Sequence, residues 1–286
     1  MKSVFLRKYK YVFVGLVIGI VILSTSLGIY FATLPKSNYH PPIIILSNAD
    51  FLNYDFPGNG TQDNPYIIED LIISASGSSN SGILIRNTDY LFIIKNCLIY
   101  SDYLGISLIE VAAGTSWIIN NTCISKSGDG GGVVLNQMTN STIVGNLCIN
   151  FMQGIHINHV SHCVIKHNTV ENNNYQGINI RISRYNKIIN NTIKATPQHA
   201  IALVGDSDWN KIYHNFLINN SFTETYNVDG RLTGIINSQG FDEGSNNYWY
   251  DEVSNHGNFW SDYQGIGNYS IDGPAGTEDI YPNNFS

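Results

Sequence analysis

The chain has 286 residues, a formal net charge of −7 and only 13% charged residues. This length suits a single domain with a sizeable core. A net negative charge does not favour binding to the phosphates of nucleic acid, so nucleic acid is excluded as an expected partner.

The N terminus combines basic residues with a long uncharged stretch. Residues 11–34 carry no charge, and a helix of that length spans the roughly 30 Å hydrocarbon core of a membrane. We expect the basic residues before the stretch to stay in the cytoplasm and the rest of the chain to lie outside. The alternative is a cleaved signal peptide, with Ser24 and Ser26 near the cleavage site. The basic residues are Lys2, Arg7, Lys8 and Lys10.

An internal repeat follows, with steps of 22 to 25 residues between successive copies. Its first segment places two mostly apolar residues shortly before an Asn, as in Ile118-Ile119-Asn120-Asn121. An apolar residue comes two places after most of these Asn residues. The Asn residues of the six copies are Asn96, Asn121, Asn146, Asn168, Asn191 and Asn215.

A second segment recurs out of phase with the first. It has a Gly or Ala, an aliphatic residue, a variable residue and another aliphatic residue, as in Gly154-Ile155-His156-Ile157. Alternation with one aliphatic and one mixed face predicts a strand that is buried on one side. The copies begin at Gly82, Gly105, Gly132, Gly154, Gly177 and Ala200.

One coil of this length cannot bury its aliphatic face alone, but a stack of coils can. We therefore predict an all-β fold, a parallel β-helix whose strands pair with their copies about 4.8 Å away. The six Asn residues fall at the same bend in every coil. The pattern predicts a structural Asn ladder, in which stacked amides satisfy the polar groups of the bend.

Two blocks outside the repeat resemble a known family. The block Gly257-Asn258-Phe259-Trp260-Ser261-Asp262-Tyr263 is similar to the closing motif of NosD-type repeat proteins, in the pectate-lyase-like superfamily. The block Gly60-Thr61-Gln62-Asp63-Asn64-Pro65 is similar to their lead-in to the first coil. The resemblance spans about residues 48–282 and implies a right-handed parallel β-helix. It also implies, as one alternative, an accessory role in maturing a metalloprotein.

These observations divide the chain into four parts. Residues 1–34 are the basic tip and membrane anchor, 35–65 a linker and lead-in segment, 66–240 the repeats and 241–286 a C-terminal cap. An open stack needs a cap because its last coil exposes apolar side chains and unpaired backbone. Large aromatic residues suit that cap, although the two tryptophans also suit a sugar-stacking platform. They are Trp249, Phe259, Trp260 and Tyr263.

The mixed face of the second segment is the strongest candidate for a binding surface. It carries planar amides, imidazoles and one guanidinium in adjacent coils, which can hydrogen-bond to sugar hydroxyls. The alternative is a solvated face with no ligand. The candidate ligand-binding residues are Asn136, Gln153, His156, Asn158, Gln176, Asn179, Arg181 and His199.

Catalysis has weaker support. Glycoside hydrolysis needs two carboxylates roughly 5–10 Å apart, and the outward columns of the predicted strand have none. Asp206 and Asp208 are the best acidic pair, but a turn explains them. Arg181 is a candidate base for a lyase, without the acidic cluster that would hold calcium. No catalytic residue is assigned, and a polysaccharide lyase or hydrolase stays an alternative.

The histidines and cysteines are the candidates for metal and thiol chemistry. His156, His159, His162 and His167 are crowded within one coil, but we expect most of them at turns, and we predict no metal or cofactor. The cysteines match no zinc spacing. Buried thiols are expected, because parallel side chains disfavour a disulfide between stacked coils. The cysteines are Cys97, Cys123, Cys148 and Cys163.

The sequence therefore predicts an exported, membrane-anchored β-helix that binds glycan or another envelope component without catalysis.

Overall fold

The structure, a computed structural model, describes residues 39–75, 81–221, 225–228 and 231–284, with the backbone only for 225–228 and 231–234. The predicted anchor at 1–34 and its signal-peptide alternative lie outside the described residues. Within them, no helix combines the length and the apolar character needed to cross a membrane.

The described chain winds into a right-handed parallel β-helix, which confirms the predicted fold. Each regular coil gives one strand to each of three parallel sheets. Along the chain, these three strands belong in turn to the sheets that are here called C, A and B. The first repeated segment bends at its Asn and so belongs to two sheets, C and A. The second segment forms sheet B.

Sheet A has nine strands. In stacking order they are β1 (Tyr39–His40), β4 (Ile72–Ala75), β7 (Leu98–Ser101), β10 (Thr122–Ser125), β13 (Leu147–Ile149), β16 (Thr169–Glu171), β19 (Thr192–Lys194), β22 (Phe216–Ile218) and β26 (Phe259–Trp260).

Sheet B has eight strands. They are β2 (Ile43–Ile45), β5 (Ser81–Arg86), β8 (Leu104–Ile109), β11 (Gly131–Thr139), β14 (Gln153–Ser161), β17 (Gln176–Arg181), β20 (Ile201–Val204) and β25 (Gly240–Asp242).

Sheet C has seven strands. They are β3 (Tyr66–Glu69), β6 (Phe92–Lys95), β9 (Ser116–Ile119), β12 (Thr142–Val144), β15 (Val164–Lys166), β18 (Lys187–Ile189) and β21 (Lys211–Tyr213). Two antiparallel pairs stand apart, β23 (Thr225–Val228) with β24 (Arg231–Ile235) and β27 (Tyr269–Ser270) with β28 (Glu278–Asp279). A 3₁₀ helix spans Asn48–Asn53.

The core consists of aliphatic files that run along the helix axis. Ile106, Val133, Ile155 and Ile178 are in register across four strands of sheet B, and all four are fully buried. Burying such a side chain stabilises the fold by about 1.5–3 kcal/mol. Every coil therefore shields the aliphatic side of the next.

The four cysteines belong to this core as buried free thiols. Cys123 and Cys148 are aligned in adjacent strands of sheet A, as the sequence predicts. Burial raises the pKa of the Cys97 and Cys163 thiols to about 11, so they stay protonated and unreactive at neutral pH.

Glycine opens five of the six copies of the second segment, and the reason is steric. At Gly132, where the chain turns from sheet A into sheet B, a β-carbon would lie 2.6 Å from the carbonyl oxygen of Gly154 and 2.8 Å from the sulfur of Cys148. At this position the backbone of one coil therefore passes too close to the next for a side chain, whereas the last copy accommodates Ala200.

A column of Asn side chains fills the corner between sheets C and A. In its middle, Asn168 Nδ2 donates to the Ile143 carbonyl oxygen at 3.0 Å and to Asn191 Oδ1 at 2.9 Å. Its Oδ1 accepts from the backbone N–H and the side-chain amide of Asn146. All four hydrogen-bonding capacities of this amide are used. The column contains Asn121, Asn146, Asn168, Asn191, Asn215 and Asn258.

Asn96 is not part of this column, and its assignment to the ladder is wrong. Cys97 aligns with Asn121 and donates its backbone N–H to Asn121 Oδ1 at 3.0 Å. Asn96 instead occupies the exposed position before the bend, with a left-handed φ of 55° that Asn tolerates well. Its exposed side chain therefore points away from the corner.

Two further polar columns fill the other corners. Between sheets B and C, Asn186 Nδ2 donates to Asn210 Oδ1 at 3.1 Å, and Asn210 Nδ2 donates to Asn247 Oδ1 at 3.2 Å. Between sheets A and B, Asn220 Nδ2 donates to Gln239 Oε1 at 3.0 Å. In the C-terminal coils, each corner of the β-helix thus satisfies buried backbone groups through stacked amides.

Each column ends at a carboxylate. Asn258 donates its backbone N–H to Asp279 Oδ2 at 2.7 Å, Asn247 Nδ2 donates to Asp242 Oδ1 at 2.9 Å, and Gln239 Nε2 donates to Asp262 Oδ1 at 2.6 Å. A carboxylate only accepts hydrogen bonds, so it can receive the last donors of a chain of amides without needing a further partner.

The same carboxylates hold the tryptophans. Trp249 Nε1 donates to Asp242 Oδ2 at 3.1 Å, and Trp260 Nε1 donates to Asp279 Oδ2 at 2.9 Å. Both indoles are fully buried, and the ring of Trp260 stacks on Tyr269 at 3.9 Å between centroids. Aromatic residues also gather at the other end of the β-helix, where Phe51 of the 3₁₀ helix stacks on Tyr66.

Phe259 and Tyr263 lie nearer the surface than the two indoles. Phe259 is half-buried and stacks on Phe216 of the previous coil, with ring centroids 4.4 Å apart. Tyr263 packs against the core and donates its hydroxyl to the Gly267 carbonyl oxygen at 2.6 Å.

Candidate functional site

The outer face of sheet B carries a patch of polar side chains on adjacent strands, here called the polar face. Parallel pairing sets His156 beside Asn179, Asn158 beside Arg181 and Gln153 beside Gln176. Because coils repeat every 22 or 23 residues here, the sequence brings these side chains together in pairs. The polar face consists of Asn136, Gln153, His156, Asn158, Gln176, Asn179 and Arg181.

A depression of about 330 Å³ lies on this face. Six of the seven polar-face residues line it, together with Tyr175 and Val204. Asn136 does not line it but accepts a hydrogen bond from Asn158 Nδ2 at 3.3 Å. Sequence reasoning missed Tyr175 and Val204, because Tyr175 precedes the repeated segment and Val204 reads as an ordinary aliphatic residue.

A hydrogen-bond network fixes the middle of the depression. Asn179 Oδ1 lies 2.9 Å from His156 Nδ1, and Asn179 Nδ2 donates to Gln176 Oε1. Gln176 Oε1 also accepts from Gln153 Nε2 at 3.4 Å. Since Asn179 uses its nitrogen toward Gln176, its oxygen faces the imidazole, and His156 Nδ1 carries the proton.

His156 is held in its neutral form. Burial lowers the pKa of its imidazole, and the nearby Arg181 guanidinium acts in the same direction, while the bond to Asn179 partly opposes them. With the proton on Nδ1, Nε2 carries a lone pair. This nitrogen is therefore an acceptor for a hydroxyl of a ligand.

Asn158 has one buried atom without a partner. Its Nδ2 donates to Asn136, whereas its Oδ1 is buried and receives no hydrogen bond. A buried unsatisfied oxygen costs about 1–3 kcal/mol. A donor supplied by a ligand would remove this cost.

His199 does not belong to the polar face, and its inclusion among the candidate ligand-binding residues is wrong. Its side chain is fully buried, with Nε2 3.1 Å from Asp272 Oδ2 and the ring packed against Phe241. Although burial opposes it, hydrogen bonds from His199 and from the backbone of Asn237 and Ser238 lower the pKa of Asp272. The C-terminal segment that carries Asp272 crosses this end of sheet B and covers the histidine.

The acidic residues have mainly structural contacts. Arg184 pairs with Asp208 at 3.1 Å and with Asp206 at 3.9 Å, consistent with a turn. Asp89 and Glu110 line a second, more open depression of about 530 Å³, a proximity that the sequence did not suggest. Asp89 Oδ1 accepts from Asn48 of the 3₁₀ helix at 2.5 Å, which ties the lead-in segment to the first coils.

The family model described as periplasmic copper-binding protein (NosD) matches residues 114–265, more than half of the chain. The chain belongs to the NosD family. This finding confirms the NosD-type resemblance, and the matched residues include the closing motif. A search of curated proteins gives no match.

Solved structures show distant likeness to this NosD-family chain. Tailspike protein 2 of Escherichia coli O157:H7 bacteriophage CAB120 is 18% identical, with a TM-score of 0.44, over 76% of this chain and 29% of the tailspike. DFA-IIIase from Arthrobacter chlorophenolicus A6, solved with GF2, is 14% identical, with a TM-score of 0.40, over 64% of this chain and 54% of the enzyme. The chain spans less than a third of the tailspike's length.

The family description names copper, but the described residues do not fit it. A copper site needs convergent imidazole, thiolate or thioether ligands. In the described parts of the chain, no three His, Cys, Asp or Glu side chains lie close enough to hold a metal ion. His159, His162 and His167 occupy separate left-handed turn positions, and the thiols are sealed in the core.

Proposed function

We propose that this NosD-family protein binds glycan of the cell envelope through the polar face, without catalysing a reaction. The observation that carries the proposal is the depression itself. It combines amide, imidazole and guanidinium groups on a rigid sheet with Asn158 Oδ1, a buried acceptor that lacks a donor. Sugars offer many hydroxyl donors and acceptors, so they match such a surface.

The rigidity of the sheet supports this proposal. Each polar side chain stands on a strand whose neighbours on both sides are hydrogen-bonded coils. Little conformational entropy is then lost when a ligand binds. The half-buried ring of Tyr175 and the aliphatic Val204 add apolar surface against which a sugar ring can pack.

The proposal also includes a location at the membrane and an aromatic cap at the C-terminal end of the β-helix. The uncharged stretch at 11–34 holds the protein at the membrane, with the β-helix outside the cytoplasm, as befits a family described as periplasmic. Trp249, Trp260, Phe259 and Tyr263 close the C-terminal end of the core. Since both indoles are fully buried and bonded to carboxylates, they suit a cap better than a sugar-stacking platform.

A glycan array tests the function. The full chain in detergent should bind at least one polysaccharide or envelope glycan, and a variant with His156→Ala, Asn179→Ala and Arg181→Ala should lose that binding. A matched variant, Lys166→Ala on the outer side of sheet C, should keep it. If the wild type binds no glycan, or if the triple variant binds as well as the wild type, the proposal is wrong.

A parallel assay separates binding from catalysis. The same polysaccharides, incubated with the protein, should yield neither new reducing ends nor unsaturated products. Release of either product would support the lyase or hydrolase alternative.

A further inference from the structure

Three exposed aromatic rings form a column at the corner between sheets B and C, one ring in each of three successive coils. The rings of His162 and Tyr185 stack with centroids 5.1 Å apart, and those of Tyr185 and Trp209 with centroids 6.4 Å apart. Tyr185 and Trp209 expose 49% and 45% of their surface. These three residues, here called the aromatic column, lie outside the polar face and take no part in the proposed function.

The aromatic column occupies a turn position at which the backbone favours asparagine. Tyr185 and Trp209 have left-handed φ angles of 59° and 58°, a conformation that is strained for a bulky residue. The coil before His162 has Asn140 at this position and the coil after Trp209 has Asn246, both with a φ of 57°. Asparagine tolerates this conformation well. The turn itself therefore does not need the large rings, which points to a role beyond the fold.

Charged side chains stand beside these rings. Arg184 directly precedes Tyr185 in the chain and pairs with Asp208 at 3.1 Å. Asp208 directly precedes Trp209 and also accepts a hydrogen bond from the backbone N–H of Ser245 at 2.8 Å. A lipid surface or an apolar protein partner would bury these charged groups, which is costly. A sugar suits the place better, because it combines an apolar C–H face with a rim of hydroxyls.

The aromatic column ends at Trp209. Among the described residues, Tyr185 is the aromatic ring that contacts this indole, and the next coil has the short side chain of Asn246 at the equivalent position. A ring with apolar C–H groups can therefore occupy the next place in the stack. Pyranose rings with equatorial hydroxyls have such C–H groups on both faces, and the negative face of an indole attracts their positive hydrogens.

We infer that the aromatic column is a second sugar-binding site, at which a pyranose ring packs its C–H face on Trp209 and bonds its hydroxyls to Asp208 and Asn246. The site takes neutral β-linked chains of sugars with equatorial hydroxyls, such as glucose and N-acetylglucosamine. It shares no residue with the polar face, so either surface can bind sugar without the other.

Saturation-transfer NMR tests this inference with the full chain in a detergent that has no sugar head group. The probes are cellohexaose and chitohexaose. Irradiation of the aromatic protons of the protein should transfer saturation mainly to the ring protons of one sugar face, because that face packs on the indole. Equal transfer to the protons of both faces, or no transfer to either probe, would overturn the inference.

Replacing both large rings separates binding from stability. Tyr185→Asn combined with Trp209→Asn introduces the residue that neighbouring coils carry, so the midpoint of thermal unfolding should stay the same or rise. The affinity for the probe that binds should fall at least about tenfold in calorimetry. Tyr39→Asn, an exposed tyrosine at the N-terminal end of the β-helix, is the matched control and should bind as the wild type does.

A second pair of variants covers the case in which the double variant does not fold. Trp209→Phe keeps a ring and should retain most of the affinity, whereas Trp209→Leu keeps an apolar side chain without a ring and should lose it. Equal affinities of these two variants, or an unchanged affinity of the double variant, would overturn the inference and leave the proposed function standing. Binding that depends on the aromatic column but not on His156, Asn179 and Arg181 would support the inference and overturn the proposed function alone.

Discussion

The molecule uses amide side chains in two regions, the three buried corner columns and the polar face of sheet B. In a corner, Asn168 fills all of its hydrogen-bonding capacities with protein groups. On the face, Asn158 has the same chemistry but leaves its buried Oδ1 without a donor. Closed networks stabilise a fold, whereas an incomplete network at a surface depression has capacity left for a ligand.

The direction of the bonds differs as well. The corner columns donate from each coil to the next until a carboxylate receives the last donors, as Asp279 and Asp242 do. The printed sequence of bonds on the polar face links only a few coils and, among the described residues, reaches no carboxylate. Position in the coil, rather than residue type, therefore decides whether an amide is structural or available.

The largest effect is expected in the middle of a corner column. Asn168→Ala removes four side-chain hydrogen bonds and leaves buried groups of Ile143 and Asn146 unpaired. We expect the free energy of unfolding to fall by about 3 kcal/mol or more. Urea denaturation checks this, with Asn172→Gly, an exposed left-handed turn position, as a control that should change little. A loss below about 1 kcal/mol would contradict the structural role of the column.

The next effect is expected where a column ends. Asp279→Ala leaves donors of Asn258, Trp260 and Tyr281 without their acceptor, and should cost about 2 kcal/mol. The exposed neighbour Glu278→Gln is the control. Thermal unfolding with tryptophan fluorescence reports both stability and the surroundings of Trp260. An unchanged midpoint would show that the carboxylate is not needed to end the column.

On the polar face, a substitution should weaken glycan binding and change the stability of the fold less. Asn179→Ala breaks the contacts to His156 and Gln176, and should weaken glycan binding about tenfold, equivalent to 1.4 kcal/mol. Val134→Ala, in the same column but outside the depression, should leave binding unchanged. If Asn179→Ala destabilises the fold as much as Asn168→Ala, the distinction between the two regions fails.

A smaller effect, a gain in stability, is expected at Cys97. This residue occupies a position in the Asn column between sheets C and A but has no side-chain amide. Cys97→Asn can donate to the Ile68 carbonyl oxygen, which lies 3.8 Å from the present sulfur, and to Asn121 Oδ1. We expect a stabilisation of up to about 1 kcal/mol in urea denaturation. Asn96→Gly should be nearly neutral, since glycine also adopts its left-handed φ. If Asn96→Gly destabilised the protein and Cys97→Asn did not stabilise it, Asn96 would belong to the column after all.

The smallest effect is expected from pH. The lowered pKa of His156 means that the folded protein prefers the neutral imidazole, so this contribution to stability is complete above the unfolded pKa of about 6.5. It is lost as the pH falls below that value. The free energy of unfolding of the wild type should therefore decline more steeply below pH 6.5 than that of His156→Gln. Identical slopes would show that burial does not disfavour the charged form.

The sequence predicts the aliphatic files well, because Gly-Ile-His-Ile and its copies alternate without ambiguity in sheet B. The sequence prediction is wrong at Asn96, because the alignment of this copy with the others is shifted by one residue. Ile93 and Ile94 are both apolar and Asn96 stands beside Cys97, so the pattern alone cannot show which residue faces the corner. The pairing of Ile94 with Ile118 decides it.

The sequence predicts only the part of the candidate site that depends on the repeat. His156, Asn179 and Arg181 follow from the repeat, because parallel pairing brings equivalent positions together. The burial of His199 depends on Asp272, 73 residues later in the chain and outside the repeat. The carboxylate ends of the columns are likewise contacts between distant segments, for which no local pattern exists.

The central claim is that the depression on sheet B is where glycan binds. A crystal structure of the protein soaked with a glycan that binds on the array tests this most directly. The account predicts sugar density between His156, Asn158 and Arg181, with a ligand hydroxyl within about 3 Å of Asn158 Oδ1. Density over the second depression at Asp89 and Glu110, with the polar face empty, would contradict it.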